Sequence, residues 1–266
     1  MDIIQLLIIA LIQGITEFLP ISSSGHLILI PYLTGWADQG LGIDVAVHVG
    51  TLAAIVVYFW RDVRRLAMGG LALVGIGNAH AEKRLLLLLA IGTVPAVVVG
   101  LSFKMFDVTA GFRSATLVAI NLIGYGLLLY AADRWGRQER RFEDMALKDA
   151  LLVGAAQSLA LIPGTSRSGV TMTMARFLGF TRPEAARFSF LLSIPAITGA
   201  GILVGLDLAE MDAEVQRDAL IAGIFTFFAA LGAMAFLMHW LRRATMTAFV
   251  VYRVALGIVL LSIFGF

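Results

Sequence analysis

Residues 3–33 read IIQLLIIALIQGITEFLPISSSGHLILIPYL, an apolar stretch that polar residues interrupt near its middle. A helix that crosses a bilayer needs about 20 consecutive apolar residues. Here Glu17 and Pro20 are followed by three serines and Gly25, so a helix that begins at residue 3 ends before it reaches that length. The stretch therefore predicts a hairpin of two half-helices.

A second stretch of the same kind covers residues 150–180, where Pro163 and Gly164 interrupt the apolar sequence. A shift of 144 positions places four residues of the first stretch on identical residues of the second. The superposed pairs are Gln13 with Gln157, Ser22 with Ser166, Ser24 with Ser168, and Gly25 with Gly169. All four pairs lie in the interrupted segments, which indicates an internal repeat of a broken-helix hairpin.

The composition is that of a membrane protein. Of the 266 residues, 59% are hydrophobic and only 14% are charged, whereas soluble globular chains are roughly 45–50% apolar. Backbone amides find no water in a bilayer, so long apolar runs predict helices and an all-α polytopic membrane protein. Besides the two hairpins, six runs are long enough to span the membrane, at Ile43–Trp60, Leu85–Phe103, Ser114–Ala132, Phe188–Leu206, Ala219–Leu241 and Met246–Phe266.

The basic residues predict how the chain is threaded through the membrane, because they cluster in cytoplasmic loops. The basic clusters are Arg61 to Arg84, Arg134 to Lys148, and Arg242 with Arg243, whereas the segment Asp207 to Asp218 is acidic and is assigned to the outside. With these assignments, the hairpin at 150–180 enters and leaves from the cytoplasmic side. The hairpin at 3–33 enters and leaves from the outer side, where both termini are also predicted.

Both hairpins are thus predicted to be re-entrant, and each precedes three spans. An odd number of spans turns the second copy upside down, which is the inverted-repeat plan. We expect one integral membrane domain with a first repeat at 1–133, a cytoplasmic linker at 134–148 and a second repeat at 149–266. In this plan, interrupted helices meet near the bilayer midplane and form a binding site there.

The composition disfavours several kinds of site and partner. The net charge of +2 comes from clusters in loops and not from a basic groove, so no nucleic acid is expected as a partner. The chain has no cysteine, which excludes disulfides, thiolate metal sites and cysteine nucleophiles.

The first hairpin carries a carboxylate, hydroxyls and an imidazole in the sequence QGITEFLPISSSGH (13–26). Gln13 and Glu17 are four residues apart, so on a helix they face the same neighbour, where the carboxylate can hold a divalent cation or accept a proton. The serines at 22–24 begin the next half-helix, whose free N–H groups form an anion site. His26 lies one turn inside that half-helix.

The second hairpin offers a guanidinium at the corresponding place. After Pro163 and Gly164 it reads TSRSGVT (165–171), so hydroxyls and Arg167 lie at the start of a half-helix. Arginine presents planar, multidentate donors that suit phosphate oxygens. If the two tips meet, the site combines two helix N-termini, Arg167, His26, a carboxylate and several hydroxyls, which is typical of a site that handles phosphate.

Alternative interpretations of these residues stay open from the sequence. Serine and glycine in membrane helices often serve only close packing, whereas charges at membrane depth are costly and mostly functional. Arg253 lies about two turns into the last span and either extends to the inner interface or serves the site. Asp44 and His48, four residues apart, either support the site or bond to each other.

Four segments together resemble the signature regions of the undecaprenyl pyrophosphate phosphatase family, the bacitracin-resistance proteins. They are QGITEFLPISSSGH (13–26), DVAVHVGT (44–51), PGTSRSGVT (163–171) and RFSFLLSIP (187–195), and length and hydropathy match along essentially the whole chain. The resemblance implies removal of the terminal phosphate from undecaprenyl pyrophosphate, which regenerates the carrier lipid for peptidoglycan. It also implies a bacterial inner-membrane protein whose active site opens to the outer face, a divalent cation such as Mg²⁺ or Ca²⁺ as cofactor, and bacitracin resistance.

The resemblance assigns roles to individual residues. Glu17 matches the family's second acidic position, Ser23 and His26 match its serine and histidine, and with Arg167 they are the expected catalytic residues. Ser166, Ser168 and Thr171 match its phosphate-binding segment, to which we add Ser22, Ser24, Gln157 and Gly169. The family has Glu or Gln at the first position, and here it is Gln13, so Glu17 is the single carboxylate for a cation held by Glu17 and Gln13.

Two routes for the chemical step follow. Either Ser23 attacks phosphorus while Glu17 or His26 takes its proton, or His26 positions a water molecule or itself attacks. In both routes, Arg167 and the N–H groups of residues 166–169 hold the pyrophosphate.

Two rival functions share some of these motifs. Type 2 phosphatidic-acid phosphatases also have SGH and SR segments, but their pattern needs a second histidine after the SR segment, and no histidine lies between His80 and His239. A transporter or flippase of polyprenyl phosphate lipids would use the same inverted repeat without hydrolysis. The expected partners are the lipid substrate and the bilayer, and a homodimer is left open.

Overall fold

The computed structural model describes residues 1–77, 79–106, 112, 114–209 and 211–264, with the side chains of residues 200 and 202–209 not described. The described part is helical and contains no strand apart from an isolated bridge between Arg140 and Phe180. Its α-helices are α1 (Ile3–Thr16), α2 (Ser23–Thr34), α3 (Gly40–Tyr58), α4 (Trp60–Leu73), α5 (His80–Met105), α6 (Ala115–Trp135), α7 (Leu147–Ser158), α8 (Arg167–Phe177), α9 (Arg182–Ala209), α10 (Ala213–Leu241) and α11 (Thr247–Phe264). Short 3₁₀ turns lie at Phe142–Asp144 and Leu159–Leu161.

Among the described residues, five helices are long and apolar enough to cross a membrane, namely α3, α5, α6, α10 and α11. They coincide with five of the six predicted spans, although residues 265–266 of the last one lie outside the described residues. The sixth predicted span, Phe188–Leu206, falls inside α9, whose 28 residues extend about 42 Å. The prediction of an all-α, multi-pass membrane protein is confirmed.

The segment after α3 is a helix, and the prediction of a basic loop there was wrong for residues 61–73. In the first turn of α4, Asp62 is buried and accepts a hydrogen bond from Arg187 at 2.6 Å. Gly69 faces α5 so closely that a Cβ there would overlap the backbone oxygen of Glu82. α4 packs against the protein on one side only, and Arg61 and Arg64 on its other side are exposed. These charged residues led to the prediction of a loop.

Each hairpin breaks where the sequence predicted, and both breaks have the same backbone geometry. Ser22 has φ 77° and Ser166 has φ 74°, and among the described residues they are the only ones other than glycine with positive φ. Each is the N-cap of the following helix, and its hydroxyl accepts a hydrogen bond from the amide of Gly25 or Gly169. Because such a conformation costs on the order of 1–3 kcal/mol, the surrounding contacts must hold it in place.

The first helix of each hairpin packs against a helix from the other part of the chain. α1 packs against α10, and α7 packs against α5. Small residues allow both crossings, since a Cβ at Gly14 would lie 2.6 Å from the Cβ of Ala229, and a Cβ at Gly154 would overlap the backbone oxygen of Gly92. The two parts of the chain therefore interlock, which brings the tips of the hairpins together.

Polar contacts mark the two ends of the helix bundle. The N-terminal amine of Met1 donates to Asp218 in the second turn of α10 at 2.6 Å, and this hydrogen bond raises the pKa of the amine above its ordinary value. The other end of α10 leads to Arg242, which lines a polar cavity together with Asp62. The acidic segment before α10 and the basic segments after α3 and α10 thus lie at opposite ends.

The segment between α6 and α7 is fixed by Asp149. Its carboxylate accepts hydrogen bonds from Arg140, at 3.2 Å for the longer contact, and from the amide of Ala146 at 2.8 Å. The Arg140 guanidinium also lies over the ring of Phe180, 4.2 Å from its centroid. Burial alone would raise the pKa of Asp149, but the hydrogen bonds from Arg140 and Ala146 hold it below its ordinary value.

Candidate active site

The tips of the two hairpins meet at an ion pair between Glu17 and Arg167. Nη2 of Arg167, the first residue of α8, donates to Oε1 of Glu17 at 2.7 Å. The other carboxylate oxygen, Oε2, accepts hydrogen bonds from the hydroxyl of Ser23 at 2.6 Å and from Nε2 of Gln13 at 3.0 Å. The structure therefore brings into direct contact residues that the sequence places on separate hairpins.

The local sequence accounts for this arrangement. Glu17 follows α1 directly and lies one turn beyond Gln13 on the same side of the helix. Pro20 lacks a backbone N–H and cannot continue the helix, so the chain turns through Ser22 into α2. Ser23 is the first residue of α2, and this position brings its hydroxyl to the carboxylate.

A cavity of about 440 Å³ lies in front of the ion pair, within the range of roughly 300–1,000 Å³ that is usual for ligand sites. Its polar lining residues are Glu17, Ser23, Ser24, Asp44, His48, Gln157, Ser166 and Arg167. Its apolar lining residues are Leu41, Val45, Ala96, Ala160, Leu161, Ala196, Ile197 and Gly201. This division suits a molecule with a polar head and an apolar tail.

The residues expected to bind phosphate divide into two groups. Ser24, Gln157 and Ser166 line the cavity, as Arg167 does. The others, Ser22, Ser168, Gly169 and Thr171, do not line it and shape the two turns instead. Their contacts fix the backbone that carries the cavity residues.

The second group shows how the two turns are joined. The hydroxyl of Ser168 donates to the backbone oxygen of Leu19 in the other hairpin at 3.1 Å. The hydroxyl of Thr171 contacts that of Ser189 in α9 at 2.7 Å. A Cβ at Gly169 would lie 2.7 Å from Nη1 of Arg253, so glycine is required where this arginine passes.

Arg253, a fully buried residue of α11, ties both tips together. Its guanidinium donates to the backbone oxygen of Pro20 at 3.1 Å, of Gly164 at 3.1 Å and of Thr165 at 2.9 Å. It also donates to two backbone oxygens of α6. The interpretation that Arg253 extends to the membrane interface was therefore wrong. Since these partners are carbonyl oxygens, they leave its positive charge in place beside the site.

Several buried polar atoms at the tips have no hydrogen-bond partner among the described residues. They are Oε1 of Gln13, both side-chain polar atoms of Gln157, Oγ1 of Thr165 and Nη1 of Arg167. Buried polar groups are normally paired, so each unpaired atom needs an explanation. Their concentration around a single ion pair indicates a binding site for a polar ligand. The unpaired atoms include both hydrogen-bond donors and acceptors.

His48 and Asp44 join the cavity from α3. Nε2 of His48 lies 3.9 Å from Oε2 of Glu17, and Nδ1 is 2.6 Å from the backbone oxygen of Asp44. Both alternatives from the sequence thus apply, because the two residues contact each other and also line the site. The i, i+4 spacing of two polar side chains at the start of an apolar span was the signal that pointed to them.

His26 is not brought to this cavity. Its Nδ1 is 2.6 Å from the backbone oxygen of Ser22, its Nε2 is 2.7 Å from the hydroxyl of Tyr252, and the two rings are stacked. It lines a separate apolar cavity between α1 and α11, together with Leu11 and Phe249. His26 therefore contacts the Ser22 turn from the cavity between α1 and α11, and not from the active-site cavity.

The oxygen atoms of Glu17 and Gln13 are the groups that could hold a divalent cation. Within the described ranges, no group of three or more His, Cys, Asp or Glu side chains is arranged to bind a metal. Mg²⁺ is commonly held by one or two carboxylates together with substrate phosphates. The unpaired Oε1 of Gln13 beside the Glu17 carboxylate fits that pattern of shared ligation.

The sequence is similar to known proteins along nearly its whole length. Residues 6–259 match the protein family described as Bacitracin resistance protein BacA. An undecaprenyl-diphosphatase from Erythrobacter litoralis is 55% identical, with 99% of this chain and 100% of the relative covered. An undecaprenyl-diphosphatase from Ruegeria pomeroyi is 49% identical, with 99% of each chain covered, and one from Chromohalobacter salexigens is 50% identical, with 98% of each covered. The chain belongs to the bacitracin resistance protein BacA family.

Proposed function

We propose that this chain is an undecaprenyl-diphosphatase, which hydrolyses undecaprenyl pyrophosphate to undecaprenyl phosphate and inorganic phosphate. The names and full-length coverage of the relatives support this activity, and they do not favour the transporter alternative. The observation that carries the proposal is the hydrogen bond from Ser23 to Glu17. It lies beside Arg167, which uses Nη2 to bind Glu17 and whose Nη1 has no partner among the described residues. The reaction recycles the carrier lipid for peptidoglycan synthesis and accounts for resistance to bacitracin.

Arg167 and the start of α8 bind the pyrophosphate in this proposal. The guanidinium has two terminal nitrogens, of which Nη2 is bound to Glu17 and Nη1 has no partner among the described residues. Nη1 therefore donates to a phosphate oxygen while Nη2 keeps the carboxylate in position. The buried charge of Arg253 and the N-terminal ends of α2 and α8 add positive potential at the same place.

Ser23 is the nucleophile that the contacts favour. Its Oγ attacks the terminal phosphorus and passes its proton to Oε2 of Glu17, which lies 2.6 Å away. The bond between phosphorus and the bridging oxygen breaks, and undecaprenyl phosphate leaves. The leaving undecaprenyl phosphate takes up the proton held by Glu17. Water then attacks the phosphoserine and gives one proton to the Glu17 carboxylate. The bond between phosphorus and Oγ breaks, Oγ takes this proton to restore Ser23, and inorganic phosphate leaves.

His26 takes a positioning role in this scheme. It lies against the Ser22 backbone and Tyr252, so Glu17 is the base that the contacts offer to Ser23. The alternative route, in which His26 itself attacks phosphorus, requires its imidazole to leave both of these contacts.

A divalent cation, Mg²⁺ or Ca²⁺, completes the site in our proposal, held by the carboxylate of Glu17 and by Oε1 of Gln13. When bound, it offsets the charge of the pyrophosphate. Because a second carboxylate strengthens the binding of a hard cation, Gln13→Glu is expected to lower the cation concentration that gives half-maximal activity, and Gln13→Ala is expected to raise it. Titration of the purified variants with Mg²⁺ and Ca²⁺ checks this, and equal midpoints for both variants would contradict it.

The activity is tested by phosphate release from undecaprenyl pyrophosphate by the purified protein. Arg167→Ala is expected to abolish turnover, because it removes the phosphate donor and leaves Glu17 without its ion partner. Arg182→Ala is a matched control, since Arg182 pairs with Asp133 away from the cavity. Near-normal turnover of Arg167→Ala would overturn the assignment.

The covalent step has its own test. Brief reaction with substrate labelled at the terminal phosphorus, followed by denaturation in detergent at neutral pH, which preserves both phosphoserine and phosphohistidine, is expected to leave label on wild-type protein and none on Ser23→Ala. Label that is retained by Ser23→Ala but lost in His26→Ala would favour attack by the histidine.

In the membrane, we propose six spans and two re-entrant hairpins arranged as inverted repeats at 1–133 and 149–266, joined by a cytoplasmic linker at 134–148. The grouping of basic segments at one end of the bundle supports this placement in the bacterial inner membrane, with the cavity open to the outer face. The chain lacks cysteine, so single substitutions can be labelled without background. Ser24→Cys is expected to react with a membrane-impermeant maleimide added outside intact cells, and Arg141→Cys to react only after lysis; the reverse pattern would invert the orientation.

A further inference from the structure

A larger cavity, of about 700 Å³, lies next to the active site between α3 and α10, and we call it the α3–α10 groove. Its floor is made of small residues, namely Ala46, Gly50 and Gly223. A Cβ at Gly50 would overlap the backbone oxygen of Gly223, so the two helix backbones are in contact there. Larger apolar side chains on both sides, including Val49 and Phe227, turn this contact into a recess.

The groove adjoins the active-site cavity. Val45 lines both of them. Val49, in the groove, lies next to Gly201 in the wall of the active-site cavity, since a Cβ at Gly201 would be 3.6 Å from Cγ2 of Val49. Along α3, Asp44 and His48 face the active site, and the residue after each of them faces the groove, about 100° further round the helix.

The direction and surroundings of the groove suit a lipid tail. From Val45 to Ala53 it follows α3 for about 12 Å, away from the start of the helix and along the membrane-spanning direction. Its outer rim is exposed and apolar, with Leu220 65% exposed and Ile224 48% exposed. Val45 lines both the groove and the cavity that contains Arg167, so it lies between the two.

We propose that the α3–α10 groove binds the isoprenoid chain of the substrate, so that the residues along it determine the preference for chain length. The inference rests on the proposed function. In a bilayer the tail gains little from leaving lipid, so binding here depends on close packing against small residues. The groove therefore aligns the tail and, through it, the pyrophosphate.

Blocking the groove tests this proposal. Val49→Trp and Ala53→Trp fill the recess from exposed positions without touching the ion pair. Both are expected to lower kcat/KM for undecaprenyl pyrophosphate about tenfold. For isopentenyl pyrophosphate, whose single unit reaches only to Val45, we expect less than a twofold change. Val57→Trp is the matched control, because Val57 is a valine of α3 that is 52% exposed and lies outside the groove.

The possible outcomes separate the two proposals. If wild-type protein releases phosphate from neither substrate, the proposed function fails. If it hydrolyses both and the groove variants lose activity equally on long and short substrates, or on neither, the groove proposal fails while the function stands.

A binding measurement that does not depend on turnover completes the test. A photoreactive undecaprenyl phosphate analogue is expected to crosslink to peptides from α3 and α10, and Ala53→Trp is expected to reduce that labelling several-fold. Labelling of other helices alone would overturn the proposal. If Ala53→Cys instead forms a disulfide between two copies of the chain, the groove is an interface between copies and not a tail site.

Discussion

The two hairpins share a backbone and differ in chemistry. Ser22 and Ser166 have nearly the same positive φ and the same cap, and they lie 144 positions apart. At other corresponding positions the first hairpin has Glu17 and Ser23 where the second has Leu161 and Arg167. The turn thus occurs twice, whereas the residues that we propose as base, nucleophile and phosphate ligand each occur once.

The difference at Glu17 and Leu161 gives the largest expected effect. Glu17→Leu places the residue of the second hairpin in the first, and it removes the proposed base while leaving Arg167 without its ion partner. We expect kcat to fall by about 10³-fold or more, near the upper range for loss of a general base. Leu161→Met, a change at the corresponding position of the other hairpin, is expected to stay within about twofold. Comparable losses in both variants would mean that the hairpins do not divide the chemistry in this way.

Two arginines that are fully buried, Arg176 and Arg253, provide the next comparison. Arg253 binds the hairpin tips, whereas Arg176 binds Asp133 and backbone oxygens near the ends of α6 and α8. Replacing either with glutamine leaves buried carbonyl oxygens unpaired, at about 1–3 kcal/mol for each group, so both variants should unfold at lower temperature. In the folded protein, only Arg253→Gln is expected to lower kcat, by roughly 10–100-fold, because only Arg253 sets the position of both turns. The measurement is kcat well below each variant's unfolding temperature, and an equal loss in Arg176→Gln would refute a special role for Arg253.

The strained serines test whether the turns are equivalent. Ser22→Ala keeps an L side chain at positive φ and removes the cap, so it is expected to destabilise the protein by about 1–2 kcal/mol. Ser22→Gly removes the cap but relieves the strain, and it should cost less. The same order is expected for Ser166→Ala and Ser166→Gly. Thermal unfolding in detergent ranks the four variants, and glycine variants less stable than alanine variants would show that the positive φ is not what limits substitution.

Asp149 gives the smallest and most pH-dependent effect. Its pKa lies below the ordinary value in the folded protein, so its contribution to stability is present above the pKa of the unfolded chain, about 3.9, and disappears as the pH falls through the folded pKa. Asp149→Asn is expected to lower the unfolding temperature by a few degrees at pH 7, on the order of 1 kcal/mol. This difference should shrink as the pH falls below about 4, and a difference independent of pH would contradict the ion-pair explanation.

The sequence was sufficient to predict most helices, the hairpin breaks and the pairing of the tips. These predictions depend on residues that end helices and on the repeat of one motif. Pro20, Pro163 and the serines after them limit helix length, and a repeat at constant spacing implies that the two turns are alike. Arg167 and Glu17 stand out because an unpaired charge at membrane depth is costly. Their contact at 2.7 Å follows from that cost.

The sequence could not determine which face of a helix meets which neighbour. His26 and Ser23 are three residues apart in α2, yet the histidine contacts Tyr252 of α11 while the serine contacts Glu17. In the same way, the exposed arginines of α4 suggested a loop, although this segment is a helix that packs closely against α5 at Gly69. Arg253 was ambiguous because the carbonyl oxygens that bind it belong to turns more than 80 positions away. Such assignments depend on tertiary packing, which spacing along one helix does not reveal.

The interlocking of the two parts of the chain determines when the site can assemble during translation. The first hairpin already contains Glu17 and Ser23. Arg167, the ion partner of Glu17, and Arg253, which binds both tips, are synthesised much later, and Arg253 lies in the last described helix. A nascent chain that contains only its first helices therefore has the Glu17 carboxylate without its Arg167 partner. If Arg167 is needed for turnover, as we propose, truncated products left by interrupted synthesis should be inactive and should be substrates for membrane quality-control proteases.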